Sequence, residues 1–232
     1  MSRKRVRTRV RCRTGIRHAF TTDQFFEVFA RYNHAIWPAQ IAAYVLAAIA
    51  LLAVFMGRPW RGRVVAAVLA LFWLWNGVAY HLAFFAAINP AAYAFAAMFI
   101  LQGLLFLVYG IIGDRFALAQ GIGWKGIVGL VLIVYAMIVY GLLGHISGHA
   151  WPRAPVFGVA PCPTTIFTFG LLLLTTRTTP LWLLVVPLAW AAIGSTAAVL
   201  LAVREDLGLL VAALAALALL PRWGGRHLPA GA

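Results

Sequence analysis

Residues 144–174 read GHISGHAWPRAPVFGVAPCPTTIFTFGLLLL, and the fold turns on whether the second half of that stretch crosses a membrane. Pro163 suits the first turn of a helix, where its missing N–H costs nothing, and TTIFTFGLLLLTT then runs on to Arg177. The 11 residues from Thr164 to Leu174 make about 16 Å of helix, against a hydrocarbon core of about 30 Å. With Arg177 at an interface, Cys162 falls near mid-depth. APVFGVAPCP is then non-helical backbone, tolerated only if it is buried in protein or lines a wet cavity. Two readings stay open: a broken helix offering free N–H groups and its dipole to an anion or to a reactive Cys162 thiol, or a bent segment that fills space.

The flanking sequence has the same character. The chain is 64% hydrophobic and 10% charged, with mean hydropathy +0.92, too little polar surface to cover a soluble globule of 232 residues. Segments 35–57, 64–86, 91–112, 126–146 and 181–203 lack Lys, Arg, Asp and Glu and exceed the roughly 20 residues a spanning helix needs. Two more are weaker: 154–176, interrupted by prolines, and 207–220, which stops at Pro221. The expectation is an all-α polytopic membrane bundle of about seven transmembrane helices, one broken by Pro161 and Pro163. Trp37, Trp60, Trp124, Trp151, Trp182 and Trp223 fall near the predicted ends, where such rings meet headgroups, while Trp73, Trp75 and Trp190 lie inside spans. TTDQFFEVFARYNH, residues 21–34, reads as an interfacial helix: Thr21 or Thr22 can cap it, Asp23 suits its positive end, and Phe25, Phe26 and Phe29 share an apolar face.

Residues 1–20 form a basic arm whose first 17 residues carry eight of the 19 basic residues. Anionic lipid or nucleic acid could attract it, but it lacks interleaved aromatics for base stacking, and a solvated tail or a misplaced start explains it as well. Residues 21–221 then make one membrane domain and 222–232 a short basic tail. The arrangement of the arginine-rich start does not fit a signal peptide. Cys12 and Cys162 form no CxxC and no disulfide framework. With seven spans, Arg58, Arg61, Arg63, Arg115, Lys125, Arg177, Arg222 and Arg226 share one side, against Arg31, Arg153 and Arg204 on the other. Eight against three puts the first group in the cytoplasm of a bacterial plasma membrane, with the N-terminus outside. The arm contradicts that orientation if it belongs to the natural product.

The same topology gathers the chemically interesting residues on the outer face. A site for a small solute is drawn from His34, Asn76, Tyr80, His81, Asn89, Cys162, Thr164, Thr165, Glu205 and Asp206. A bend at Pro38 would turn His34 toward it. Glu205-Asp206 reads more simply as a solvated loop or helix cap. His145 and His149, four apart, can share a helix face, and with His81 and Cys162 they compose a candidate site for zinc or another transition metal. An HxxxH pair is weak by itself, and Gly148 with Pro152 can end the helix first. Ser195 and Thr196 are expected to bond back to their own helix, and Gly144/Gly148 and Gly194/Ala198 to mark helix contacts. P-loop, GxGxxG, GxSxG and HExxH motifs are missing, so nucleotide binding and the common soluble catalytic folds have no support.

FFEVFARYNHAIWPAQ, GVAYHLAFFAAINPAAYAF and FGVAPCPTTIFTFGLLLL, with EDLGLLVA, together resemble a family of bacterial multi-pass membrane proteins known only as a domain of unknown function. The resemblance covers roughly residues 20–220 and implies topology without chemistry. A fainter likeness is to the seven-span ceramidase and adiponectin-receptor class, which would imply zinc and an intramembrane hydrolase. Here the HxxxH pair follows the fourth span and not the seventh, and Gly77 stands where that class has a serine. Three functions therefore compete: binding or transport of a small solute or metal ion, zinc-dependent hydrolysis, and a structural subunit without a site. Partners beyond the bilayer and oligomeric state are left open.

Overall fold

The computed structural model describes residues 20–119, 121–201 and 203–220, so the basic arm and tail lie outside it. The chain is all-helical. Helix α1 spans Thr22–Ala35, α2 Ala39–Phe55, α3 Arg61–Ala87, α4 Ala92–Ile112, α5 Trp124–Ile146, α6 Pro161–Leu173, α7 Leu181–Leu200 and α8 Leu207–Leu219. Each of the seven apolar segments coincides largely with one of these helices. Four of them, α3, α4, α5 and α7, are long and apolar enough to cross a membrane. Helices α1 and α2 meet that standard only as a pair bent by 82°, and α6 and α8 have 13 residues each.

Long aliphatic runs propagate helix readily, but three of these helices widen locally into π turns: Asn76–Leu82 in α3, Leu107–Ile112 in α4 and Tyr135–Val139 in α5. Such turns shift the phase of the side chains that follow and loosen backbone hydrogen bonds. The Met137 carbonyl, in the α5 turn, accepts from Tyr44 Oη of α2 at 2.8 Å.

Helix α6 is the axis of the bundle. Twelve of its 13 residues are buried, because it packs against α3, α5, α7 and α8. A helix whose faces are almost all apolar suits such a position, and its threonines bond within the bundle. It begins at Pro161, two residues earlier than the sequence suggested, with Ala160 as N-cap. The closest approach is to α5: a Cβ on Gly129 would lie 2.6 Å from the Gly170 carbonyl oxygen, and one on Gly170 would lie 2.8 Å from that of Gly129. Both positions require glycine for backbones to touch.

The stretch before α6 is non-helical and buried at Pro155 and from Phe157 to Ala160, so its polar groups need partners within the protein. They have them. Tyr32 Oη donates to the Val159 carbonyl at 2.8 Å, Asn76 Nδ2 to that of Gly158 at 3.2 Å, and Asn33 Nδ2 to those of Pro152 and Ala154 at 2.7 and 2.8 Å. Gly158 takes a positive φ of 77° there. Helix α1 supplies two of these three donors. It is capped by Thr21 with Gln24 reaching back to the Thr21 N–H, and Val28, Phe29 and Tyr32 are buried against protein. Its apolar face is therefore committed to the bundle, where the sequence reading had it facing lipid headgroups.

The two ends of the bundle differ. One collects the starts of α3, α5 and α7. The other collects α1, the end of α3, the segment 147–160, the end of α7 and the start of α8. Trp37, Trp60, Trp124, Trp151 and Trp182 are exposed, whereas Trp73 and Trp190 are buried.

Candidate functional site

At the second end a cavity of about 250 Å3 opens among α1, α3, α4, α6 and α7. Its walls are aromatic: Phe25 and Phe29 from α1, Phe85 and Tyr80 from α3, Phe95 from α4 and Trp190 from α7. The rings support one another, Tyr80 stacking on Phe85 at 5.6 Å and Phe95 meeting Trp190 edge-on at 5.4 Å. Polar atoms enter from Asn89, Cys162, Thr196 and Asp206. Thr196 Oγ1 is engaged with the Ile193 carbonyl and Ser195 Oγ with that of Ala191, as expected of hydroxyls in an apolar helix.

The acidic pair sits beside this chamber. Arg204–Asp206 is a single 3-10 turn, and Glu205 is 0% and Asp206 3% exposed. The expectation of a solvated loop is thus wrong, as is that of a capping side chain, since Asp206 makes no side-chain cap bond to α8. The turn is buried because α5, α6 and α7 close over it, and the two carboxyls leave it in different directions. Asp206 Oδ1 accepts from Tyr140 Oη at 2.5 Å, and the Cys162 thiol stands within hydrogen-bonding reach. Burial pushes the Asp206 carboxyl up to about 7, and the Tyr140 and Cys162 contacts only partly oppose that rise. Glu205 Oε1 lies 3.5 Å from His149 Nδ1, and neither carboxyl oxygen of Glu205 forms a hydrogen bond with a described residue. Its backbone carbonyl accepts from Tyr135 Oη at 2.7 Å.

Gly194 keeps the chamber open at this point. A Cβ there would stand 3.6 Å from Cys162 Sγ, 3.9 Å from Trp190 Nε1 and 2.5 Å from Leu209 Cδ1. Trp190 Nε1 is buried and forms no hydrogen bond with a described residue. Cys162 consequently faces a carboxyl and an indole. That is the setting of a thiol donor, and it differs from the anion-seeking helix start entertained from the sequence.

The structure disperses the proposed metal ligands. His81 is wholly buried behind the cavity wall, its ring 4.8 Å from that of Phe99 and 5.1 Å from that of Trp190, with neither nitrogen hydrogen-bonded among the described residues. His149 stacks on Phe26 at 3.9 Å and turns toward Glu205. His145 is exposed and shares a separate cleft of about 220 Å3 with His149. Helix α5 ends at Ile146, so the pair does not share a helix face. Among the described residues no three of His, Cys, Asp and Glu stand together as a metal requires.

The solute candidates divide. Tyr80, Asn89, Cys162 and Asp206 line the chamber. Asn76 is buried and bonded to the Phe72 and Gly158 carbonyls. Thr165 Oγ1 bonds to the Pro161 carbonyl, and Thr164 holds Asn76 and Thr168, so both threonines brace α6. The chain does bend at Pro38, yet His34 remains exposed, its ring edge-on to Trp151 at 5.9 Å. Sequence reasoning missed Tyr140, Trp190, Gly194 and the aromatic walls. One signal was present, since Glu205 and Asp206 are two of only five acidic residues and apolar runs flank them on both sides.

Residues 22–224 match a family of unknown function, DUF6064, and the chain belongs to it. No curated protein and no solved structure shows a match.

Proposed function

We propose that this member of DUF6064 is an integral membrane protein that binds a small, mainly apolar molecule in the chamber beside Asp206. All seven apolar segments lie in the bilayer, with α2, the α6 segment and α8 completing the set. The end carrying Arg58, Arg61, Arg63, Arg115, Lys125 and Arg177 faces the cytoplasm of a bacterial plasma membrane. The chamber then opens outward, where α1 roofs it. One observation carries the binding reading: aromatic walls from four helices enclose a cavity with a single carboxyl at one side, the combination of apolar body and few polar anchors typical of ligand sites. Aliphatic side chains exposed around the bundle, such as Ile112, Ile138, Val199 and Val211, support the membrane reading. The hydrolase alternative loses its support with the dispersal of the histidines.

The test uses the full chain in lipid nanodiscs and 1-aminoanthracene, a dye that brightens in apolar sites. Signal above that of empty nanodiscs, abolished by the chamber-filling variants Thr196→Trp and Ile193→Trp, is the expected result. Equal signal in native protein, both variants and empty discs would end this reading.

A further inference from the structure

The chemistry of the chamber is uneven in sign. Among the described residues no lysine, arginine or histidine lines it, and Asp206 is the only ionisable group there besides Cys162 and Tyr80. The cations of that end are held elsewhere: Arg31 and Arg204 are exposed, and Arg153 pairs with Asp23. Glu205, buried next to Asp206, adds a second carboxyl to the same turn, and among the described residues its one basic neighbour is His149. The walls add to this bias. Aromatic faces carry the negative side of the ring quadrupole and attract cations, most strongly where water is excluded. Phe25, Phe29, Tyr80, Phe85, Phe95 and Trp190 come from four different elements and surround the space that Asp206 borders. Among the described residues an anionic ligand would meet a carboxyl with no compensating cation, and a neutral hydrocarbon would leave that carboxyl with only the Tyr140 hydroxyl and the Cys162 thiol as partners.

We propose that the ligand of this chamber is a small lipophilic organic cation, an alkyl- or arylammonium, whose charged head pairs with Asp206 and whose apolar body lies among the aromatic rings. This rests on the reading of the cavity as a binding site. The volume of about 250 Å3 falls below the roughly 300–1,000 Å3 of drug-sized sites, so the ligand is compact. Thr196 and Leu200, both exposed on the last turns of α7, border the chamber and mark its mouth at the level where an amphiphilic cation gathers in a bilayer. A metal ion is a poor occupant, because the liners supply one carboxyl and one thiol but no third ligand.

The experiment measures displacement of 1-aminoanthracene in nanodiscs by two probes of the same shape, benzyltrimethylammonium and neopentylbenzene, which differ in charge. The expected result is that the ammonium displaces the dye at a concentration at least tenfold below that of the hydrocarbon. Asp206→Asn should erase the difference while still binding dye, which shows that the variant is folded. Dye binding with equal displacement by both probes, or better displacement by the hydrocarbon, would overturn the cation and leave the cavity standing. A discrimination that survives unchanged in Asp206→Asn would also overturn it. Absence of specific dye binding would remove the binding site itself, and this inference with it.

Discussion

At the end where α3 and α5 begin, half-buried cations are embedded in backbone carbonyls. Arg61 donates to Leu118 at 2.6 Å, Val54 at 3.1 Å and Ala119 at 3.3 Å, and Lys125 donates to Thr175 at 2.6 Å. Arg61 thus ties the start of α3 to the loop after α4, Lys125 ties α5 to the loop after α6, and the two loops meet in a bridge between Leu118 and Thr175. At the opposite end Glu205 and His81 are buried with no side-chain hydrogen bond to a described residue, and Asp206 has Tyr140 as its hydrogen-bond donor. A buried group that makes its bonds stabilises the fold, whereas one left without them costs stability. The difference teaches where function is carried: the first end is built to hold, and the second tolerates groups whose value lies outside the folded protein's own contacts.

Substitutions at the two ends should therefore act in opposite directions. Arg61→Ala removes a three-carbonyl clamp and should destabilise by about 3 kcal/mol, read from chemical or thermal unfolding in detergent; a change near zero would erase the contrast between the ends. Asp206 tests the other end through pH. Its folded pKa, pushed up to about 7 by burial, lies above the ordinary carboxyl value of 3.8, so the folded state holds a proton that the unfolded chain releases. The stabilising contribution is fully present below about 4 and is lost as pH rises from there through about 7, by an amount on the order of 4 kcal/mol. Asp206→Asn should flatten that slope. Tyr80, Tyr140, Cys162 and the adjoining Glu205 face the same carboxyl, and a slope that survives unchanged in the variant would take the pH dependence away from Asp206.

His81→Leu should raise the midpoint of thermal unfolding, by about 1 kcal/mol in free energy, since it replaces two unpaired buried nitrogens with apolar atoms. A sharp fall would mean that His81 has a polar partner and that its end is better satisfied than the geometry indicates. The smallest effect belongs to Arg153→Ala. Its ion pair with Asp23 is solvent-exposed and should contribute under about 1 kcal/mol, with most of that lost at high salt.

The contrast between the ends was legible before any coordinates, because loop charges and apolar run lengths depend only on local sequence. Helix limits followed for the same reason, α4 at Ala92–Ile112 against 91–112 and α5 at Trp124–Ile146 against 126–146. The site was less legible. His81, His149 and Cys162 do lie toward one end, but which way each faces depends on helix rotation, and the π turns in α3 and α5 alter that rotation without a sequence signature. The burial of Glu205-Asp206 depends on α5 and α6 closing over a turn that is distant in sequence. Gly129 and Gly170 carry no sequence signal of their role for a related reason: their contact pairs two helices, and neither one reveals its partner.

The central position of α6 bears on how the protein is made. A ribosome delivers α6 before α7 and α8, so when it emerges two of its four packing partners do not yet exist. The preceding segment holds its carbonyls against Tyr32, Asn33 and Asn76, residues already synthesised, and in a bilayer it has no water to turn to. Docking onto α1 and α3 is thus available at once, and closure of the other side waits for the C-terminus. On the proposed membrane reading, the axis of the bundle is inserted from one flank and sealed from the other, so a nascent chain ending shortly after α6 would present a half-covered core to the insertion machinery, and the 13-residue helix α8 would act as the seal.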